Sequence, residues 1–410
     1  MRVCCRYVLA GAVSTTVVAA LMTLSAATSP ALAFPTVSPV GATVACSTAI
    51  APAPVLGHVE THYAYGLLAP FGVAFAPDAK HAFVDSLINP STPPSRLTPM
   101  MDAGGISEYS VSPSRLVSDR LGSFRGKSLL GMAVSPNGRY LVAAGGSGAS
   151  VFSVPRIEQL NSAPSSWLLG SFSSRGQGAI ETAVSPDGDV FVSLEDSDQL
   201  AVFNIEKAER SGFGSSDLVG YVPMGVAPVG MAISPNGRYL YATSEAATET
   251  GTEGTLTTID LRRAEEQPAR SIVSTVWAGC SPVRVVATSS SVYVTARESD
   301  ELLEFSATDL ISHPASALIR QVHVGEAPVG LALVNHDKTV VIADSNRFNA
   351  NGATSNLAVV VAEERTLHLV GYVAAGDFPR DMAVNPDGRT VVISDYGSGD
   401  VEEVNVGTLP

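Results

Sequence analysis

Charge is sparse in this chain. Asp, Glu, Lys and Arg together make up 16% of its 410 residues, aromatic residues 6%, and there are only four Cys and two Trp. So few charges among so many Gly and Pro exclude an architecture of long solvated helices and favour many short strands and turns. The basic residues are also outnumbered, 25 against 39. An acidic chain repels phosphate backbones and anionic membrane surfaces, so neither nucleic acid nor a lipid surface is expected as a partner. Cysteine is too thin for a zinc cluster, and no Cys-x-x-Cys-His haem attachment occurs. Nor is there a Gly-x-Ser-x-Gly elbow, a phosphate-binding loop or a His-Glu-x-x-His. No metal and no cofactor are expected.

Long apolar runs are missing too, apart from one. Arg2 and Arg6 precede a stretch from Tyr7 to Leu24, interrupted by Ser14, Thr15 and Thr16, and Ala31-Leu32-Ala33 follows. That order is a secretory signal peptide, residues 1–33, cut after Ala33. A secreted, extracellular protein with no membrane span after cleavage is expected. Residues 1–33 hold two of the 25 basic residues and none of the 39 acidic ones, so the remainder carries a net charge of −16. Cys46 and Cys280 then remain, and an oxidising exterior permits either a disulfide or two free thiols.

What is abundant is repetition. The segment 131–142, GMAVSPNGRYLV, returns at 230–241 as GMAISPNGRYLY and at 381–392 as DMAVNPDGRTVV. Looser copies begin at Gly72, Glu181, Arg284 and Gly330, giving spacings of 59, 50, 49, 54, 46 and 51 residues. About 50 residues suits one four-stranded propeller blade. Inside a unit, Asn-Gly or Asp-Gly separates a small apolar run from a β-branched or aromatic one, and positive φ at that pair would make a tight hairpin. The expected fold is all-β: a seven-bladed β-propeller over residues 55–410, behind a flexible leader at 34–54. Only three strands follow the seventh anchor. A strand at about Val55 to Ala64 is therefore expected to complete the last blade and close the ring, sparing it open edges.

These units resemble the YVTN-type β-propeller repeat. The pattern is carried by Val324-Gly325 with Pro328 and Gly330, by Ser234-Pro235-Asn236-Gly237 leading to Tyr241-Ala242-Thr243-Ser244, and by Tyr293-Val294-Thr295-Ala296. A related group is the lactonase-like propellers, similar to 6-phosphogluconolactonase, whose Pro-His-x-His stretch is not found here. The resemblance implies the fold, and lactone hydrolysis as one activity among many.

Loops entering each blade and loops between second and third strands should share one face. The longest of the latter are Ser86–Gly105, Ala246–Gly254 and Ser345–Ser355. Second strands end in Asp85, Glu195, Glu245, Glu298, Asp344 and Asp395, which predicts a ring of carboxylates there, able to hold Ca²⁺ or act as acid and base. Arg284, Arg297, Arg347 and Arg380 lie beside them, and their forks suit a carboxylate or phosphate. Asp196-Ser197-Asp198 begins like a calcium loop but lacks its downstream Gly and Glu, which makes it a solvated turn. Trp167 and Trp277 are placed on outer strands. The expected function is a monomeric binding protein whose entry-loop face takes a small polar ligand, a cell-wall component or a protein. The alternative is a lactone hydrolase.

Overall fold

The hairpin inside each repeat forms, but its turn is not the one expected. Pro136 holds φ near −65° at the first central position, so only the glycine swings to positive φ: Gly138 at 69°, Gly237 at 66° and Gly388 at 71°. The residue before it works through its side chain. Asn137 Oδ1 accepts from the Arg139 N–H at 3.0 Å and from the Ser135 hydroxyl at 2.8 Å, and Asn236 repeats both contacts.

The computed structural model describes residues 38–67, 69–86, 103–112, 115–125, 127, 129–159, 161–348 and 354–410. The expected signal peptide and its cut after Ala33 lie outside the described residues, as does most of the 86–105 loop. Seven four-stranded antiparallel sheets form a ring. Their inner strands are Pro70–Phe75, Met132–Val134, Ala179–Val184, Val226–Ile233, Pro282–Ala287, Pro328–Val334 and Pro379–Val384. In the seventh sheet Thr61–Tyr65 is the outermost strand, paired antiparallel with Asp400–Asn405 in the register Thr61 opposite Val404. That strand begins later than expected, because residues 54–56 are engaged elsewhere.

Adjacent sheets pack face to face through apolar side chains. Between blades two and three, Tyr140, Val142 and Phe172 meet Val190, Val192 and Phe203, and the Phe172 and Phe203 rings stack 4.8 Å apart. Trp167 is fully buried between blades one and two, beside Phe124, at the start of an outer strand rather than within it.

At the axis the repeat does something its letters do not announce. The Thr of Tyr-Val-Thr staples two blades together. Thr295 Oγ1 accepts from the Arg284 N–H at 3.2 Å and donates to the Val329 carbonyl of the next blade at 2.9 Å. Thr243 does the same with Gly230 N and Val283 O, and Ser394 with Asp381 N and Phe71 O, the last joining blade seven to blade one.

The leader is fastened around the rim. Outer strands leave a row of unpaired backbone groups, and the leader takes some of them. Val40 N donates to Thr275 O at 3.0 Å on blade four, and Leu56 N and Tyr372 pair on blade six. Val44 is buried against Val276 and Ala278. Cys46 and Cys280 form a disulfide, with Cα atoms 5.5 Å apart. Of the two alternatives, a disulfide or free thiols, the structure has the disulfide; the rim route brings the leader to Cys280, which ends an outer strand, Ile272–Cys280.

Thr295→Val should lower unfolding free energy by about 1–3 kcal/mol, since it strands a buried N–H and a buried carbonyl. Thr295→Ser, which keeps the hydroxyl, should lose clearly less. Urea denaturation of the three proteins checks this, and equal losses for Val and Ser would show that the staple contributes nothing.

Candidate functional site at the entry face

The seven anchors form the innermost ring, and they are not alike. Blades one, two, four and six place Gly there; blades three, five and seven place Glu181, Arg284 and Asp381. Four missing side chains make room for three charged ones. A Cβ on Gly131 would lie 2.4 Å from a Glu181 carboxylate oxygen, and one on Gly230 would lie 2.2 Å from Val283 O. Across the axis, Arg284 Nη2 is 3.2 Å from Glu181 Oε2 and its Nε donates to Asp381 Oδ1 at 3.4 Å. Asp381 Oδ2 also accepts from Val73 N at 3.1 Å. These side chains are 8%, 10% and 13% exposed, so they plug the axis rather than line an open channel. Burial pushes the Glu181 carboxyl up to about 7, with Arg284 pulling the other way.

Arg380 stands beside this plug under different conditions. Its guanidinium carbon lies 3.5 Å from the centre of the Phe71 ring and 5.9 and 5.7 Å from those of Phe378 and Tyr396. Arg347 also sits over Phe378, at 5.9 Å. Stacking on ring faces suits a guanidinium, yet no carboxylate of the described residues makes an ion pair with Arg380, and its Nε is buried without a partner. Burial, then the charges of Arg284 and Arg347, lower its pKa to about 10. Phe378 is presented from a left-handed backbone, φ 55°, just before Pro379. Ala69, Ser281, Ala227 and Ala327 share that conformation before the entry prolines of their own blades, so it belongs to the way a blade begins.

The expected carboxylate ring does not form as an open ring. Asp85, Asp344 and Asp395 are buried within their blades. Asp85 occupies the staple position, accepting from Gly72 N at 2.8 Å as Thr243 does from Gly230. Asp344 and Asp395 sit under the entry glycines Gly325 and Gly376. Desolvation raises the pKa of all three. Second strands end beneath the entry loops, so their last side chains meet backbone instead of water. Glu245 is tied to Arg297 at 3.0 Å. Glu195 opens a half-buried 3-10 turn, and Glu298 is exposed beside blade five's entry. Asp198, which ends the calcium-like run, sits at φ 53° and accepts from Ala227 N, a turn as expected.

Thus Arg284, Arg347 and Arg380 converge near the axis, where the charges of Asp381, Glu181 and Arg380 also reach Asp85, while Arg297 and Glu245 form a separate pair and Asp344 and Asp395 stay within their own blades. The reading missed Glu181 and Asp381, although their signal was present as two of the three non-glycine anchors. It also missed Phe71, Phe378 and Tyr396, which only the folded loops bring under Arg380. Of metal-type donors, one described group, Asp78, His81 and Glu158, lies within 4.8 Å of one another. It belongs to the opposite face, and His81 Nδ1 is already bonded to Asp78 Oδ2 at 2.6 Å.

A family model described as a lactonase, 7-bladed beta-propeller, matches residues 73–351. The chain belongs to that family. A search of curated proteins finds no match. Among solved structures, this lactonase-family propeller is similar to the Kuenenia stuttgartiensis Hydrazine Synthase, with a TM-score of 0.61, 14% identity, and 83% of this chain and 97% of that one covered. It is also similar to a chain of the Mitotic Checkpoint Complex (TM-score 0.62, 11% identity, 89% and 99% covered) and to the Myceliophteria thermophila Cps50 (Swd1) beta-propeller domain (0.59, 13%, 84% and 99%). At these identities the likeness shows the fold alone.

In blade seven, burial first and then the Glu402 charge raise the Asp395 carboxyl to about 9, and burial with the Asp400 charge raises Glu402 to about 8, so both stay protonated well above the usual range. A raised carboxyl favours the folded state most at low pH and loses that advantage as pH climbs through its folded value. Stability should therefore fall from about pH 5 to pH 9 through this pair. Asp395→Asn should flatten the slope by about one proton's share, roughly 1.4 kcal/mol per pH unit at most. Denaturant titrations at pH 5, 7 and 9 measure it; an unchanged slope would remove the assignment.

Proposed function

We propose that this lactonase-family propeller is a secreted binding protein whose entry face holds a small anionic ligand at the mouth of the axis, carried on Arg380 with Arg347 beside it. The observation that carries the reading is the contrast between two arginines. Arg284 is balanced by Glu181 and Asp381. Arg380 has aromatic faces beneath it, no ion-pair partner among the described residues, and a buried Nε with no acceptor. A carboxylate, on a small polar molecule, a cell-wall fragment or a protein side chain, supplies both the charge and the acceptor, and the fork geometry of arginine suits it. The n-region, apolar stretch and Ala31-Leu32-Ala33 support export.

Lactone hydrolysis at the same place is the second reading. It draws on the family match and on Glu181, whose raised pKa near 7 beside Arg284 is the range wanted for a general acid or base. Weighing against it, that carboxylate is engaged by Arg284 and only 10% exposed. In the mature protein, citrate and glucuronate are suitable anionic probes by calorimetry. Arg380→Ala should weaken whichever binds by tenfold or more, about 1.4 kcal/mol; no binding of either probe, or binding indifferent to the substitution, removes the anion site. Proton release from a panel of sugar lactones in a pH-stat, abolished by Glu181→Gln, would move the assignment to hydrolase.

A further inference from the structure

A cavity opens on the entry face away from the axis, between blades five and six. It encloses about 410 Å³ and is lined by Thr48, Ile50, Arg297, Glu298, Asp300, Glu326 and Phe348. That volume falls in the range of small-molecule sites. One wall belongs to the leader, held in place by the Cys46–Cys280 bond and by Ala51 N donating to Val324 O at 3.0 Å. The opposite wall is Phe348, half exposed at 50%.

The charges of this cavity do not cancel. The Arg297 charge is matched by Glu245 at 3.0 Å and its Nη2 donates to Ser281 Oγ at 3.0 Å, although its Nε is buried with no acceptor. Three carboxylates remain. Glu298 is exposed, whereas Asp300 and Glu326 are each 4% exposed. Asp300 Oδ1 accepts from Ala327 N at 3.0 Å. Glu326 Oε1 accepts from Phe348 N at 3.2 Å, but its Oε2 is buried with no partner. A buried carboxylate oxygen without a donor is destabilising, and a ligand that donates to it relieves that cost. The three carboxylates are not close enough together to form a metal cluster among the described residues. They are spread around a cavity that also has an aromatic face and the Ile50 side chain.

We propose that this cavity binds an organic cation, a primary ammonium or guanidinium carrying a short apolar chain, with the cationic head donating to Glu326 Oε2 and the chain lying against Ile50 and Phe348. The half-exposed Phe348 ring also leaves room for the carbon next to the head to sit over its face, where the positive charge is attracted by the ring. This site is independent of Arg380 and does not rest on the anion reading.

The test is calorimetric titration of the mature protein with n-hexylammonium, hexanoate and 1-hexanol at pH 7.5. Hexylammonium should bind saturably and at least tenfold more tightly than the other two. Glu326→Gln should weaken it by tenfold or more, and Phe348→Ala by roughly threefold to tenfold. Because Phe348 is half exposed, the second variant reads out the site even if the first is poorly folded. Hexanol or hexanoate binding as tightly as hexylammonium, no saturable binding of the cation, or tight binding unchanged in both variants would overturn the proposal.

Discussion

Seven strands cannot meet at one axis unless most of them give up their side chains there. That crowding governs the rest of the molecule. Gly72, Gly131, Gly230 and Gly330 let the backbones close in, and the space they leave is what Glu181, Arg284 and Asp381 reach across. The same closeness lets one hydroxyl, from Thr243, Thr295 or Ser394, serve the anchor of its own blade and the carbonyl of the next. A blade drawn back by a side chain at an anchor glycine would lose both the staple and the plug. Ring closure and axial electrostatics are therefore one constraint.

The plug decides what the entry face can offer. With Arg284 held by Glu181 and Asp381, the axis gives no open channel, and two unmet polar groups of the entry face lie beside it. Arg380 sits on aromatic rings with no ion-pair partner among the described residues and a buried Nε that has no acceptor. On the flank, Glu326, with a buried oxygen that has no partner, lines a cavity that the leader helps to wall. One face thus presents opposite electrostatic demands at two places, and the leader, strapped around the rim, helps to build one of them.

Much of the fold was legible because its signals are local. Ser-Pro-Asn-Gly and Asn-Pro-Asp-Gly mark a hairpin through backbone angles and side-chain caps that span five residues, and their recurrence about every 50 residues counts the blades. Turn type was misjudged where Pro136 overrode the preference of Asn-Gly. The leader's composition is polar and small, and its attachments to blades four and six are backbone bonds that composition does not encode.

The site was less legible for a physical reason. Asp85, Asp344 and Asp395 looked equivalent to Glu245 and Glu298 as acidic residues at strand ends, but the entry loops cover the first three and not Glu298. Burial of a strand end depends on the loop from elsewhere in the chain that lies over it. By itself the sequence determined the number of blades, the hairpins within them and which residues carry charge, since all of these follow from short-range stereochemistry and periodicity. Only the tertiary structure decided which charges are neutralised, which are buried and which are left facing an opening, because ion pairing and desolvation depend on residues about a hundred positions apart, as Arg284 is from Glu181 and Asp381.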